Sequence, residues 1–277
     1  MPAFSAAESR RWRHGTTDTG VRLMRFAALG SGSDGNAWLI EAGTTRVLID
    51  CGFGPRETER RLRRLDVAPQ SISAVAVTHE HSDHIGGAIA CARRFGWELY
   101  LTAGSRLGLK EFAPAEVVVN TVTPGLAFSI GELQLTPCTV PHDAREPVQY
   151  VLSAGQSRLG ILTDAGHISQ HMVEQFDGCD ALVLECNHDE QMLARGRYPA
   201  ALKRRISSGW GHLENAQAAS LLTRLGQPRL RHLVAAHLSA ENNRAELARA
   251  ALAVALDCEA AWIGVADQDD GLGWCDL

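Results

Sequence analysis

The sequence predicts an α/β fold, a four-layer αββα sandwich, and three observations carry that expectation. Short apolar runs of strand length recur from Phe26 to Val265, and helical stretches interleave with them in both halves. No Pro-rich linker, low-complexity tract or short repeat divides the chain. Its 277 residues, 45% hydrophobic and 21% charged, suffice for a substantial core.

Residues 1–23 are polar and Arg-rich, with Arg10, Arg11, Arg13 and Arg22, and read as a disordered extension before a working start at Met24. Glu8 and Asp18 break the acid-poor character of a transit peptide. Residues 24–277 are then read as one domain. It opens with a β meander, Phe26 to Leu29, Ala37 to Glu41 and Arg46 to Asp50, punctuated by the loop Gly30 to Asn36 and by Gly43. Pro55 suits the first turn of a helix rich in arginine, and Ala74 to Thr78 reads as a buried strand. A helix opening at Ile85-Gly86-Gly87 and running to Phe95 follows. Strands are expected at 98–102, 117–122, 133–140, 148–152, 158–163, 181–185, 230–236 and 261–265, with helices at 215–225 and 243–256.

Charge excludes some partners. With 27 basic and 32 acidic residues the net charge is −5, so a polyanion must be met by a local patch. Seven cysteines, an odd number without a C-x-x-C pair, read as buried free thiols in a reducing compartment, which makes the cytoplasm the expected location. No apolar run approaches the roughly 18 residues of a membrane span, and Met1 to Ala7 lacks the apolar stretch of a secretory signal.

The segment Thr78-His79-Glu80-His81-Ser82-Asp83-His84 sets four ligand-type side chains at a strand's end. In extended chain His79 and His81 project to one side and can share an ion, while Asp83 and His84, at the turn into the helix, can face a second. Packing three imidazoles and a carboxylate so tightly is costly without a cation, because protonated histidines repel one another.

This motif resembles the signature of the metallo-β-lactamase superfamily, and three further positions fall in the family's order. They are His142 in Val140-Pro141-His142-Asp143, Asp164 in Ile161-Leu162-Thr163-Asp164, and His237 in Val234-Ala235-Ala236-His237. The resemblance implies that His79, His81 and His142 bind one ion, that Asp83, His84 and His237 bind another, and that Asp164 bridges them. Two divalent ions, Zn or Mn, are implied. Diiron redox relatives carry glutamate where this chain has His81, and β-lactamases usually carry cysteine where it has Asp164, so hydrolysis of something other than an antibiotic is expected.

A narrower similarity, to the YycJ/WalJ group of that superfamily, runs from Phe26 to Trp262. It includes Leu29 to Asn36, Leu48 to Gly52, Pro141 to Pro147, Leu184 to Asp189 and Ala236 to Asn243. It implies a phosphodiesterase or nuclease, a 5′ to 3′ exodeoxyribonuclease with a DNA-repair role. Gly211-His212-Leu213-Glu214-Asn215 is similar in order to tRNA 3′-end-processing endonucleases, which makes His212 the general-acid candidate, or otherwise a capping or supporting histidine. The expected mechanism is attack by a hydroxide held between the ions and oriented by Asp83 and Asp164, with His212 protonating the leaving oxygen.

For the substrate phosphate the candidates are Lys203-Arg204-Arg205 and the Ser31, Ser33 and Asn36 loop, each of which also fits a plain surface helix or tight turn. His167 and His188 follow strand ends and fit either phosphate contacts or support of the ligands. His14, His171 and His232 lack a partner pattern and read as surface residues, and no aromatic platform for bases is recognisable. Two rival readings remain: a glyoxalase II-like ester, thioester or lactone hydrolase, and a non-catalytic metal-stabilised scaffold. Oligomeric state is left open.

Overall fold

A computed structural model describes residues 24–109, 115–226 and 230–277. The 1–23 extension and His14 lie outside them. Strands β1 (Met24–Gly30), β2 (Ala37–Ala42) and β3 (Thr45–Ile49) form the expected antiparallel meander. Then come α1 (Pro55–Arg63), β4 (Ala74–Ala76), α2 (Ser82–Ile85), α3 (Ala88–Phe95), β5 (Glu98–Thr102), α4 (Ala103–Gly108) and β6 (Val119–Val122). The second half contains β7 (Phe128–Ile130), β8 (Leu133–Thr139), β9 (Val148–Ala154), β10 (Ser157–Leu162), α5 (Gln170–Phe176), β11 (Ala181–Glu185), α6 (Glu190–Arg195) and α7 (Ala200–Ile206). It continues through α8 (Asn215–Arg224), β12 (His232–Ala236), α9 (Ala245–Leu256) and β13 (Gly264–Val265), and β14 (Leu272–Asp276) returns to the first half.

Two seven-stranded sheets result, ordered β14-β1-β2-β3-β4-β5-β6 and β13-β12-β11-β10-β9-β8-β7. Side-chain alternation assigns each strand's two faces. Ile40, Ile49, Tyr150, Ile161 and Val183 meet between the sheets, whereas Leu39, Leu48, Val75 and Leu99 turn outward with Leu62 of α1 and Cys91 of α3. On the far side Leu182 and Leu184 pack with Phe176, Leu221 and Leu252 from α5, α8 and α9. Each such buried aliphatic or aromatic side chain contributes about 2 kcal/mol, and the three clusters are what four layers require. All seven cysteines are free, six of them buried, and among the described residues no helix is long and apolar enough to cross a membrane.

The helix expected from Ile85 to Phe95 is instead split: Asp83 and His84 ride on the one-turn α2, and α3 begins after Gly86-Gly87. Close backbone approach is the reason. A Cβ on Gly87 would overlap the carbonyl oxygen of Phe53, and one on Gly52 that of Asp83. The resulting crossing is stitched by Asn36 N to Asp83 O (2.7 Å), Cys51 N to His84 O (2.7 Å) and Gly87 N to Cys51 O (2.9 Å). His232 also departs from a plain surface residue, since its Nε2 bonds Asp276 O at 3.0 Å and its ring meets Phe26 edge-on.

Arg61 braces this corner. Its side chain, 5% exposed, donates to the carbonyls of Leu29 (2.8 Å), Gln268 (2.7 Å) and Asp269 (3.1 Å) and lies over the Phe53 ring. Arg61→Ala is therefore expected to lower stability by about 2–3 kcal/mol, and Arg61→Lys to recover little, because an ammonium lacks the planar fork. Urea unfolding measures this, and a loss below about 0.5 kcal/mol would contradict the bracing role.

Candidate metal centre

Four of the ligand-type residues follow strand ends: His79 after β4, His142 after β8, Asp164 after β10 and His237 after β12. All are nearly buried, at 0%, 2%, 1% and 2% exposure. The two sheets bring them to one edge beside α2. There His81 Nδ1 lies 3.0 Å from His79 Nε2 and 3.2 Å from His142 Nε2. Nitrogens bound at about 2.0–2.1 Å around a tetrahedral ion stand roughly 3.3 Å apart, so this trio is spaced as one face of such a site. Asp83 Oδ2 is 3.2 Å from His84 Nε2 and 3.5 Å from His237 Nε2, which forms a second group. Asp164 stands between them, with Oδ2 3.0 Å from His84 Nε2 and Oδ1 3.7 Å from His142 Nε2.

The residues present fit two cations. Buried Asp164 Oδ2 and His237 Nε2 make no hydrogen bond among the described residues, although Asp164 Oδ2 is within ion-pair reach of His84. Four of the five ligand imidazoles are also held by Nδ1. His84 Nδ1 meets Asp50 Oδ2 (2.7 Å), His79 Nδ1 meets Thr78 Oγ1 (3.0 Å), His142 Nδ1 meets Gly211 O (2.9 Å) and His237 Nδ1 meets Glu185 Oε1 (3.2 Å). Donation from Nδ1 fixes the tautomer that leaves Nε2 free to ligate.

Electrostatics follow from that crowding. Burial pulls His79 and His142 below the ordinary imidazole range. Burial acts the same way on His84 and His237, yet surrounding carboxylates, Asp164 foremost, hold His84 well above that range and lift His237 to about 10. Asp83, Asp164 and Glu185 stay ionised below the usual carboxylate range despite burial, because the histidines compensate them. A dense set of anions that keeps neighbouring imidazoles charged is a set that a divalent ion would satisfy.

Two residues of this centre escaped the sequence reading. Asp50, 1% exposed with φ 63°, takes His84 Nδ1 and both the N–H and hydroxyl of Thr78. Glu185, fully buried, accepts from His212 Nδ1 (2.8 Å) and His237 Nδ1 through Oε1, and from Ala165 and Leu213 amides through Oε2. Each is a carboxylate at the end of an apolar strand, the same placement as Asp164.

His212 lies beside both ion groups, its Nδ1 3.3 Å from Asp164 Oδ1 and its side chain 23% exposed. Together with His81, Asp83, Asp164 and His237 it lines a cleft of about 380 Å³. Ser33 and Arg205 reach that cleft as well, and Arg205 Nε donates to Asp143 Oδ2 at 2.5 Å. The other phosphate candidates are placed differently. Ser31 and Asn36 are buried and spent on the protein: Ser31 Oγ accepts from His237 N (2.9 Å), and Asn36 Nδ2 reaches Asp83 Oδ2 (3.4 Å) and His84 Nε2 (3.3 Å). Ser31 thereby holds His237 at φ 53°, a left-handed conformation costing about 1–3 kcal/mol. Lys203 Nζ donates to Ala194 O at 2.7 Å, and neither Lys203 nor Arg204 lines the cleft. His167 bonds Gly209 O at 2.8 Å from an exposed position, and His188 is buried off the cleft, where burial pushes it down to about 4.

Known proteins share this architecture. Residues 45–237 match the Beta-lactamase superfamily domain. Exodeoxyribonuclease YycJ of Bacillus anthracis is 32% identical over 251 residues, 88% of this chain and 93% of that protein. Exodeoxyribonuclease WalJ of Streptococcus pneumoniae is 31% identical over 229 residues, 81% of this chain and 85% of its own. The metallo-β-lactamase fold protein YhfI of Bacillus subtilis superposes with a TM-score of 0.72 at 15% identity, covering 92% of this chain and 100% of that one, a likeness of fold. With its αββα layers and its edge of strand-end histidines and aspartates, the chain belongs to the metallo-β-lactamase superfamily of metal-dependent hydrolases, within the YycJ/WalJ group.

Proposed function

We propose that this hydrolase is a 5′ to 3′ exodeoxyribonuclease working with two divalent ions, zinc or manganese, in which His212 is the general acid. The observation that carries the reading is His212 itself, clamped by Glu185 beside both ligand groups and open to the cleft. The names of the relatives, exodeoxyribonucleases aligned over most of this chain, support the substrate class. Residues 24–277 are taken as one catalytic domain, and the seven free thiols support a place in a reducing cytoplasm.

His79, His81 and His142 would hold one ion, Asp83, His84 and His237 the other, and Asp164 would touch both. Two divalent ions held by these residues would supply an activated water and compensate charge on phosphate oxygens. Asp83 and Asp164 orient what binds between the groups, and Arg205, steadied by Asp143, offers a cation to a phosphate oxygen. Glu185 fixes the His212 ring through Nδ1, which leaves Nε2 as the nitrogen that hands a proton to the leaving oxygen.

Three outcomes check this reading. End-labelled single-stranded and duplex DNA, with zinc and manganese compared, should yield mononucleotides from the 5′ end, whereas turnover confined to a thioester or lactone would refute it. His212→Ala should lower kcat on DNA by about 10²–10⁴-fold while retaining its ions. Bis-p-nitrophenyl phosphate, whose leaving group needs no proton, should suffer much less, and equal loss on both substrates would remove the acid role. Elemental analysis of Asp83→Ala should show bound metal falling from about two ions per chain to about one, with a lower Tm.

A further inference from the structure

Between β11 and α8 the chain makes an excursion containing α6 and α7, and α7 buries none of its residues against the rest of the protein. An apolar stripe on a helix ordinarily covers a core. Here Leu202 and Ile206, one turn apart on α7, and Tyr198, just before the helix, line the same cleft as Asp83, Asp164 and His212. Leu202 is 36% exposed, and Tyr198 and Ile206 are half-buried. An apolar wall thus faces a wall built to hold cations.

The two walls are rigidly related. His212 N donates to Ile206 O at 2.9 Å, and a Cβ on Gly211 would overlap the carbonyls of Arg205 and Ile206, so the end of α7 lies directly against the general acid. Arg205, one residue before Ile206, is tied to Asp143 across the cleft. A ligand that fits is anionic at one end and apolar and flat at the other, with the two ends one bond system apart. A nucleotide has that shape. The volume of about 380 Å³ is at the small end of ligand sites, which suits one nucleotide rather than a duplex. A paired base, moreover, has its faces already covered by its neighbours in the stack.

We infer that Tyr198, Leu202 and Ile206 form a subsite for the unpaired base of the terminal DNA nucleotide, with the Tyr198 ring as its stacking surface. The inference rests on the phosphodiester reading above for the identity of the ligand. It makes this stripe a specificity-determining surface: a base seated there sets its own phosphate beside Arg205 and the ion groups.

The test is calorimetric titration of the metal-loaded full-length protein with dAMP and with 2-deoxyribose 5-phosphate, which differ only in the base. Stacking of one base corresponds to about 5- to 150-fold in affinity, so dAMP should bind tighter by that factor. The double variant Tyr198→Ala, Leu202→Ala should keep its affinity for the sugar phosphate and lose the preference, and Tyr198→Phe should keep both. Equal affinities in the parent protein, a preference that survives the double variant, or a double variant that loses both ligands would each overturn the subsite. Its failure is separable from that of the nuclease reading. Base preference without cleavage of any diester would refute the hydrolytic assignment and leave the subsite standing, whereas cleavage of bis-p-nitrophenyl phosphate without base preference would do the reverse.

Discussion

A buried carboxylate, that of Asp164, stands where imidazoles from α2 and from the ends of β8 and β12 meet, and the rest of the centre is arranged around its charge. A carboxylate at 1% exposure is tolerable only when its charge is answered at close range. His84 and His237 answer it, and they in turn need Asp50, Asp83 and Glu185 to hold their rings. This chain of compensation explains why the centre sits at strand ends. Strands β10 to β12 are parallel, so their C-terminal ends share an edge, and polar groups placed there are buried laterally while still opening onto a cleft.

Support for the ligands comes largely from backbone. The turn carrying Asp83 and His84 crosses residues 51–54 so closely that Gly52 and Gly87 admit no side chain, and Asn36 bonds both the main chain and the carboxylate of Asp83. Asp50 and His237 both adopt left-handed backbone, strain that the hydrogen bonds from Thr78 to Asp50 and from His237 N to Ser31 stabilise. The glycine-rich opening loop therefore braces the turn of Asp83 and His84 and the backbone of His237. Its Ser31 and Asn36 reach inward, and Ser33 alone of the three candidates reaches the cleft.

Much of this was legible in the sequence because the signals were local. The H-x-H-x-D-H cluster lies within six residues, and the apolar runs ending in His142, Asp164 and His237 have strand length. Asp50 and Glu185 were missed because a single carboxylate closing a strand looks the same whether it turns to solvent or holds an imidazole. Lys203 and Arg205 were grouped because adjacent charges in sequence look like one patch, whereas helical rotation sends Lys203 to Ala194 and Arg205 to the cleft. Helices α4 to α7 run to six or seven residues, too short for a 3.6-residue period to stand out. Strand β14 depends on a pairing with β1 that joins the two ends of the described chain, which no window of sequence contains.

That last pairing sets an order on how the enzyme is built. Ser31 N donates to Asp267 O and Asp34 N to Gln268 Oε1, Gln268 Nε2 donates to Gly35 O, and Leu277 N donates to Met24 O. During synthesis the cluster around His79 therefore emerges long before the strand that locks its neighbouring loop. Until β14 is made and paired, β1 presents an open edge and the loop of residues 31–36 lacks its bonds to Asp267 and Gln268, which leaves that edge open to mispairing.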